Sequence, residues 1–155
     1  MKRAYKKFLL PQLGQIGLVL RDLDKAVNYY STALGIGPFR IASERFLPDT
    51  TFRGKHSPLK LKQAWALMGS VELELIQVLS GESTHTEFLS NKGEGLHHLG
   101  FFVTDLEKEI VKAKSQGIGV IQHGKIEDGG GFAYLDTEAI GGAIFELIQR
   151  KSFWT

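Results

Sequence analysis

Residues 15–24, QIGLVLRDLD, recur 83 positions later as residues 98–107, HLGFFVTDLE. A second match follows, because ELIQ at residues 74–77 returns at residues 146–149. Two matches in the same order indicate a tandem duplication, so the chain is built from two copies of one supersecondary unit. Each copy places a polar residue at the start of its first strand and a carboxylate in its last. These four residues are Gln15, Glu74, His98 and Glu146.

The pattern within each copy predicts the element order β-α-β-β-β. Apolar residues alternate with polar or small ones over residues 15–20, which is typical of a strand. Helical spacing then predicts a helix over residues 23–34, and the second copy repeats it with Thr104 and Glu107 at capping-box spacing. The remaining predicted strands lie near residues 39–46, 61–67, 71–78, 120–122, 132–136 and 143–149.

The two copies are too small to fold separately, so the sequence predicts one domain over residues 14–149 with a shared core. Residues 48–60 are polar and lack strand periodicity, which indicates a loop over the open face of the sheet. The predicted segments are an N-terminal lead-in (1–13), module one (14–79), a connector with a short helix near 84–89 (80–95), module two (96–149) and a C-terminal tail (150–155).

Composition narrows the function classes. Of 155 residues, 43% are hydrophobic, which is enough for a packed core, and the net charge of +2 predicts neither a nucleic-acid nor a membrane partner. Cysteine is absent, which excludes disulfides, thiolate zinc sites and cysteine nucleophiles and fits a cytoplasmic protein. The apolar run that follows the basic start is broken by Pro11, Gln12 and Gly14, so we interpret this segment as a lead-in to the first strand and not as a secretion signal.

Strand alternation predicts which side chains share a face of the sheet. His98 and Gly100 are expected to point to one side, where the glycine leaves room. His97 is expected to pack on the far side or against the connector. The other histidines fall in predicted loops, where solvated side chains are expected; they are His56, His85 and His123.

The four repeated polar residues form a candidate metal site. A carboxylate in the middle of an apolar strand, such as Glu146, is costly to bury unless it is paired or binds a metal. Glu74 is a second carboxylate within a predicted strand, at the symmetric position of the first copy. One imidazole, two carboxylates and an amide oxygen suit an octahedral divalent ion with two positions left for water or substrate, namely Co²⁺, Ni²⁺, Mn²⁺, Mg²⁺ or Zn²⁺.

The ordered set of motifs resembles the vicinal oxygen chelate superfamily, which includes glyoxalase I, methylmalonyl-CoA epimerase, extradiol dioxygenases and bleomycin-resistance proteins. The matching pieces are QIGLVLRDL (15–23), YYSTALG (29–35), VELELIQ (71–77), GLHHLGFFV (95–103) and GGAIFELIQ (141–149). They span nearly the whole chain in order. The resemblance implies an α+β fold in which two tandem modules form a curved mixed sheet with the metal in a central cleft.

The resemblance also implies a ligand set and a reaction. The four ligands fall on Gln15, Glu74, His98 and Glu146. Many members have histidine at the first place, so Gln15 is a departure that weakens the extradiol dioxygenase interpretation. The chemistry shared by glyoxalase I and methylmalonyl-CoA epimerase is proton removal next to a carbonyl, with Glu146 as base.

We therefore expect a methylmalonyl-CoA epimerase-like isomerase acting on a small molecule, such as an acyl-CoA thioester. Glu74 could serve as the second acid or base, with Glu44 as a weaker candidate. The alternatives are a glyoxalase I-type lyase and a metal-free binding protein of the bleomycin-resistance type. A homodimer is implied by the resemblance alone.

Overall fold

The computed structural model describes residues 7–154 of the chain. Thr155 and the first six residues of the predicted lead-in lie outside the described part. Within it the helices are α1 (Leu23–Thr32), α2 (Thr84–Lys92) and α3 (Leu106–Ser115). The strands are β1 (Gln15–Val19), β2 (Arg40–Leu47), β3 (Thr50–Phe52), β4 (Lys55–His56), β5 (Leu59–Met68), β6 (Val71–Ser80), β7 (Gly95–Phe102), β8 (Val120–Lys125), β9 (Gly131–Leu135) and β10 (Ile144–Gln149). The predicted α+β class is confirmed.

All of these strands belong to one mixed sheet in which the two modules are arranged symmetrically. The strand order is β2-β5-β6-β1-β7-β10-β9-β8-β3-β4. β1 and β7 pair antiparallel in the middle, so the two repeated segments lie side by side. Within each module the first strand runs parallel to the last, β1 beside β6 and β7 beside β10. The predicted β-α-β-β-β order is confirmed in the second module, whereas the first module has two further short strands, β3 and β4, between its second and third predicted strands.

The segment predicted as a loop, residues 48–60, contains two strands instead. β3 pairs antiparallel with β8 of the second module, and β4 returns beside β3. The prediction was wrong because these strands are three and two residues long, too short for a period of two to be read. Only residues 48 and 49 separate β2 from β3. The sheet must therefore curl until β2 approaches β8, because so short a link cannot span a flat sheet.

The helices of the two modules cover the outer face of the curled sheet. Leu23 of α1 packs against Leu73 and Leu75 of β6. In the second module, α3 packs on Phe101 and Leu147. A third cluster lies between the sides of the sheet and includes Leu47, Leu61, Ile76, Phe132, Tyr134 and Ile144. In residues 7–154, no helix has the length and apolar composition needed to cross a membrane.

Helix α3 begins one residue later than its predicted capping box implies. Its N-cap is Asp105, whose side chain accepts a hydrogen bond of 3.1 Å from the Lys108 backbone N–H, so the expectation for Thr104 was wrong. Asp22 caps α1 in the same way. Asp22 and Asp105 occupy the same place in the repeat, and that equivalence identifies the cap better than the local motif does.

Candidate metal centre

Four neighbouring strands each contribute one of the repeated polar side chains to the inner face of the sheet. The strands are β6, β1, β7 and β10, and the side chains in the same order are Glu74, Gln15, His98 and Glu146. All four are at most 6% exposed. All four come from one chain, so no second subunit is needed to bring them together.

Two glycines make this close approach possible. Gly17 pairs with both Glu74 and His98, and Gly100 pairs with Gln15 and the remaining carboxylate. A Cβ atom on Gly17 would lie 1.9 Å from Cε1 of His98, and one on Gly100 would lie 2.8 Å from Cβ of Gln15. Such distances are impossible without displacing the side chain concerned. Each copy of the repeat thus carries a polar residue and, two positions later, a glycine that leaves room for the polar residue of the other copy.

Three oxygen atoms converge on Nε2 of His98. Oε1 of Gln15 lies 3.0 Å away, Oε2 of Glu146 lies 3.0 Å away and Oε2 of Glu74 lies 3.3 Å away. One ligand atom from each of Glu74, His98 and Glu146 lies within 4.8 Å of the others. The atoms that the sequence analysis selected as ligands therefore surround one small volume.

The orientation of the Gln15 amide follows from its other neighbour. Nε2 of Gln15 donates a hydrogen bond of 2.7 Å to Oε1 of Glu72. The amide nitrogen is thereby turned away from His98, and the amide oxygen faces it. Only the oxygen of a glutamine side chain is an effective metal ligand, so Gln15 presents the useful atom.

The two carboxylates have different surroundings. Oε1 of Glu74 accepts hydrogen bonds from Nε2 of Gln63 at 2.8 Å and from Nε1 of Trp65 at 2.9 Å. Burial alone would raise the pKa of Glu74, but His98 outweighs this and lowers it. Oε2 of Glu146 is buried and, apart from its contact with His98, accepts no hydrogen bond from the described residues. Burial raises the pKa of Glu146.

His98 carries the charge that balances these carboxylates. Burial would lower its pKa, but Glu146 and Glu74 more than offset this and raise the pKa to about 9. The imidazolium thus occupies a pocket of negative charge. A buried pocket of that sign, with a carboxylate oxygen that lacks other donors, fits a divalent cation, which would release the imidazole proton and bind the neutral ring.

The second ring nitrogen of His98 is held by His97. The two Nδ1 atoms share a hydrogen bond of 2.9 Å, and Nε2 of His97 lies 3.2 Å from Oγ1 of Thr84. Burial, with the charge of His98, lowers the pKa of His97 well below its ordinary value. A neutral His97 that donates to Thr84 must accept from His98, which leaves Nε2 of His98 facing the oxygen atoms.

The prediction that His97 faces away from His98 was wrong. Gly17 pairs with His98 but Leu18 pairs with Leu96, so His97 is the extra residue of a β-bulge. A bulge interrupts the alternation of side chains, and the His97 ring lies 5.4 Å from that of Tyr134 on the inner face. The alternative expectation, packing against the connector, is confirmed by the contact with Thr84.

A cleft opens beside these residues. Its walls include Arg45, Gln63, His85 and Tyr134, which the sequence analysis did not assign to the site. His85, expected to be solvated, is 1% exposed and bonds to the Tyr134 hydroxyl at 2.9 Å. Burial lowers the pKa of His85 to about 3, so its ring is neutral near pH 7.

The remaining predicted candidates lie away from the cleft. Glu44 has a side chain that is 63% exposed and forms an ion pair with Lys60 at 2.8 Å. His56 is exposed, as expected for a solvated side chain, but it lies in β4, so its placement in a loop was wrong. His123 lies in β8 and pairs with Glu107 at 2.9 Å, so its placement in a loop was wrong.

Arg45 connects the residues behind Glu74 to the far side of the cleft. Its Nη1 donates to Oε1 of Gln63 at 2.9 Å, while Nε and Nη2 donate to the two oxygens of Glu127 at 2.9 and 2.8 Å. Gln63 in turn donates to Glu74. Since Gln63 alternates with its neighbours in β5, its inward direction could have been read from the period of the strand.

The chain matches known proteins over most of its length. The model of the Glyoxalase/Bleomycin resistance protein/Dioxygenase superfamily matches residues 14–134. The uncharacterized protein YqjC of Bacillus subtilis (strain 168) is 28% identical over 142 residues, covering 90% of this chain and 93% of YqjC. Mitochondrial methylmalonyl-CoA epimerase of Homo sapiens is 26% identical over 148 residues, covering 90% of this chain and 74% of the epimerase.

A solved structure shares the fold. A variant of methylmalonyl-CoA epimerase from Streptomyces coelicolor, in complex with 2-nitronate-propionyl-CoA, matches with a TM-score of 0.70 at 21% identity. The match covers 93% of this chain and 100% of that chain. The likeness in fold therefore extends across both modules.

Proposed function

Because the chain belongs to the Glyoxalase/Bleomycin resistance protein/Dioxygenase superfamily, we propose that it is a metal-dependent isomerase or epimerase that removes a proton next to a carbonyl. The observation that carries the proposal is the convergence of three side-chain oxygens on Nε2 of His98. Gln15, Glu74, His98 and Glu146 would together hold one divalent ion. When bound, such an ion polarises a substrate carbonyl and stabilises the negative charge that develops as the proton leaves.

We assign the role of base to Glu146. Apart from its contact with His98, its Oε2 accepts no hydrogen bond from the described residues, so it is free to take a proton. Burial raises the pKa of Glu146, the direction that favours uptake of a proton. Glu74, which two N–H groups hold in place, is better suited to retain the ion. In this proposal Glu146 transfers the proton and Glu74 binds the ion.

An epimerase also needs an acid or base on the opposite face of its substrate. Apart from Glu146, Glu74 is the one carboxylate among the described residues that line the cleft. Glu44 does not line it and is paired outside with Lys60. Gln63 and Trp65 both donate to Oε1 of Glu74, so its Oε2, 3.3 Å from Nε2 of His98, is the oxygen that would have to act in this way. This arrangement supports a single-base lyase of the glyoxalase I type as the second candidate.

The substrate class that we propose is a small molecule with an acidic C–H group next to a carbonyl, and an acyl-CoA thioester is the first choice. The human relative, methylmalonyl-CoA epimerase, supports this choice at 26% identity. A homodimer stays a prediction from the sequence resemblance.

Solvent exchange distinguishes the candidates. We expect the metal-loaded protein in D₂O to introduce deuterium next to the thioester carbonyl of methylmalonyl-CoA, because the proton on the base equilibrates with solvent. Mass spectrometry of the recovered thioester measures it. Turnover of a methylglyoxal–thiol adduct without exchange into the thioester would favour the lyase. Failure to bind any divalent ion would leave the metal-free binding protein as the remaining candidate.

A further inference from the structure

The residues that follow β10 pack against the inner side of the sheet beside Gln15. We call residues 150–154 the C-terminal strap. The ring of Phe153 lies edge to face on Trp65, with ring centroids 5.0 Å apart. The guanidinium groups of Arg40 and Arg150 lie 4.4 and 3.8 Å from the centre of the same ring. The strap is therefore held by aromatic and cation–π contacts and is not a free tail.

The strap converges on Glu72, a buried carboxylate that the proposed reaction does not use. Glu72 is 2% exposed. Its Oε2 accepts a hydrogen bond of 2.5 Å from Nη2 of Arg150 and one of 2.7 Å from Nε1 of Trp154. Its Oε1 accepts the hydrogen bond of 2.7 Å from Nε2 of Gln15. Glu72 thus receives two donors from the strap on one side and one donor from a proposed metal ligand on the other.

We propose that the C-terminal strap, acting through Glu72, determines which atom of Gln15 faces the metal. A glutamine amide has an oxygen on one side and an N–H₂ group on the other, and the two ends have almost the same shape. An acceptor behind Gln15 fixes the nitrogen there and turns the oxygen toward His98. The strap keeps Glu72 in that position. This inference rests on the proposed metal centre and assigns Glu72, Arg150 and Trp154 as positioning residues.

The variant Glu72→Gln tests whether the direction of these hydrogen bonds, from donor to acceptor, orients the Gln15 amide. The substitution conserves shape, but the new amide has a single oxygen, which Arg150 and Trp154 both require. The N–H₂ group of that amide must then face Gln15, which can satisfy it only by turning its own oxygen toward position 72 and its nitrogen toward the metal. We expect the affinity for Co²⁺ to fall by about 10–100-fold, the range typical of lost outer-shell partners. The visible absorption of bound Co²⁺ should change because one oxygen ligand is lost.

The double variant Glu72→Gln with Gln15→Glu restores the hydrogen bond between the two positions, with the donor at position 72 and the acceptor at position 15. The carboxylate at position 15 accepts from the amide at position 72 and keeps an oxygen toward the metal. We expect its Co²⁺ affinity to recover to at least the wild-type value. Lys151→Ala is the matched control, since Lys151 is exposed in the same segment and, among residues 7–154, its one hydrogen bond runs from its backbone N–H to Asp128.

The outcomes separate the two proposals. Loss in the single variant and recovery in the double variant, with unchanged circular dichroism, support the strap. A single variant with wild-type Co²⁺ affinity and spectrum overturns the proposed role of the strap and leaves the proposed metal centre standing. A folded double variant whose Co²⁺ affinity does not recover has the same consequence. A wild-type protein that binds no Co²⁺ overturns the proposed function itself and the strap's role with it.

Discussion

Replacing Glu146 by glutamine is expected to remove nearly all proton transfer while leaving a folded protein. Glutamine keeps the size of the side chain and one oxygen ligand, but its amide cannot take a proton near neutral pH. A positioned general base contributes about 10²–10⁴-fold, or about 3–5 kcal/mol of transition-state stabilisation. We expect a loss in that range in the rate of deuterium exchange into substrate, measured at saturating metal.

Glu44→Gln is the matched control for this experiment. It makes the same chemical change at an exposed carboxylate that pairs with Lys60 outside the cleft. Its exchange rate should equal that of the wild type. A Glu146→Gln protein that binds metal and exchanges substrate protons at the wild-type rate would contradict the assignment of the base.

His98→Ala is expected to abolish specific metal binding. His98 is the central group of the site, because all three ligand oxygens lie within 3.3 Å of its Nε2. Its loss removes a ligand directly, so the decrease in affinity should exceed the ~10–100-fold that follows loss of an outer-shell partner. It also leaves Glu74 and Glu146 buried without the imidazolium that balances them, which destabilises the metal-free protein.

Thermal unfolding measures both effects: the Tm without metal reports the destabilisation, and the rise in Tm with metal reports binding. A ligand at one hundred times its Kd stabilises the folded state by about 2.7 kcal/mol, and we expect the wild type to show a matching rise in Tm with Co²⁺. The rise should vanish in His98→Ala. It should persist in His123→Ala, because His123 is partly exposed and pairs with Glu107 away from the cleft. An equal metal-dependent rise in His98→Ala would show that the ion binds elsewhere.

The repeat made the fold and the grouping of the four polar residues predictable. In a symmetric sheet, the first strands of the two modules lie together at the centre. Residues at equivalent positions, such as Gln15 and His98, are then neighbours. The period of two along each strand predicts which face of the sheet these side chains lie on, and Gly17 and Gly100 leave the space that the side chains need. These are rules of local geometry, which a single sequence contains.

What could not be predicted depends on contacts between distant segments. β3 exists because it pairs with β8 across the curled sheet, and three residues carry no periodic signal of it. The bulge at His97 is a defect in pairing between two strands, so nothing within β7 marks it. His85 lies in the connector and is buried only because α2 packs over the inner face beside Tyr134.

The hydrogen bonds that orient the ligands also join distant segments, so they could not be predicted either. Glu72 faces the inner side by strand alternation, but its partners Arg150 and Trp154 lie 78 and 82 residues away in sequence. The direction of the Gln15 amide depends on these partners. Sequence reasoning could therefore select Gln15 as a ligand but could not decide whether its oxygen faces the site.

The central claim is that one divalent ion binds between the two modules. Its most direct test is an anomalous difference map from crystals of the protein grown with Co²⁺, recorded on both sides of the cobalt absorption edge. We predict one strong peak bonded to Oε1 of Gln15, Nε2 of His98 and a carboxylate oxygen from each of Glu74 and Glu146. A map with no peak there, with Nε2 of His98 still in contact with the two carboxylates, would contradict it.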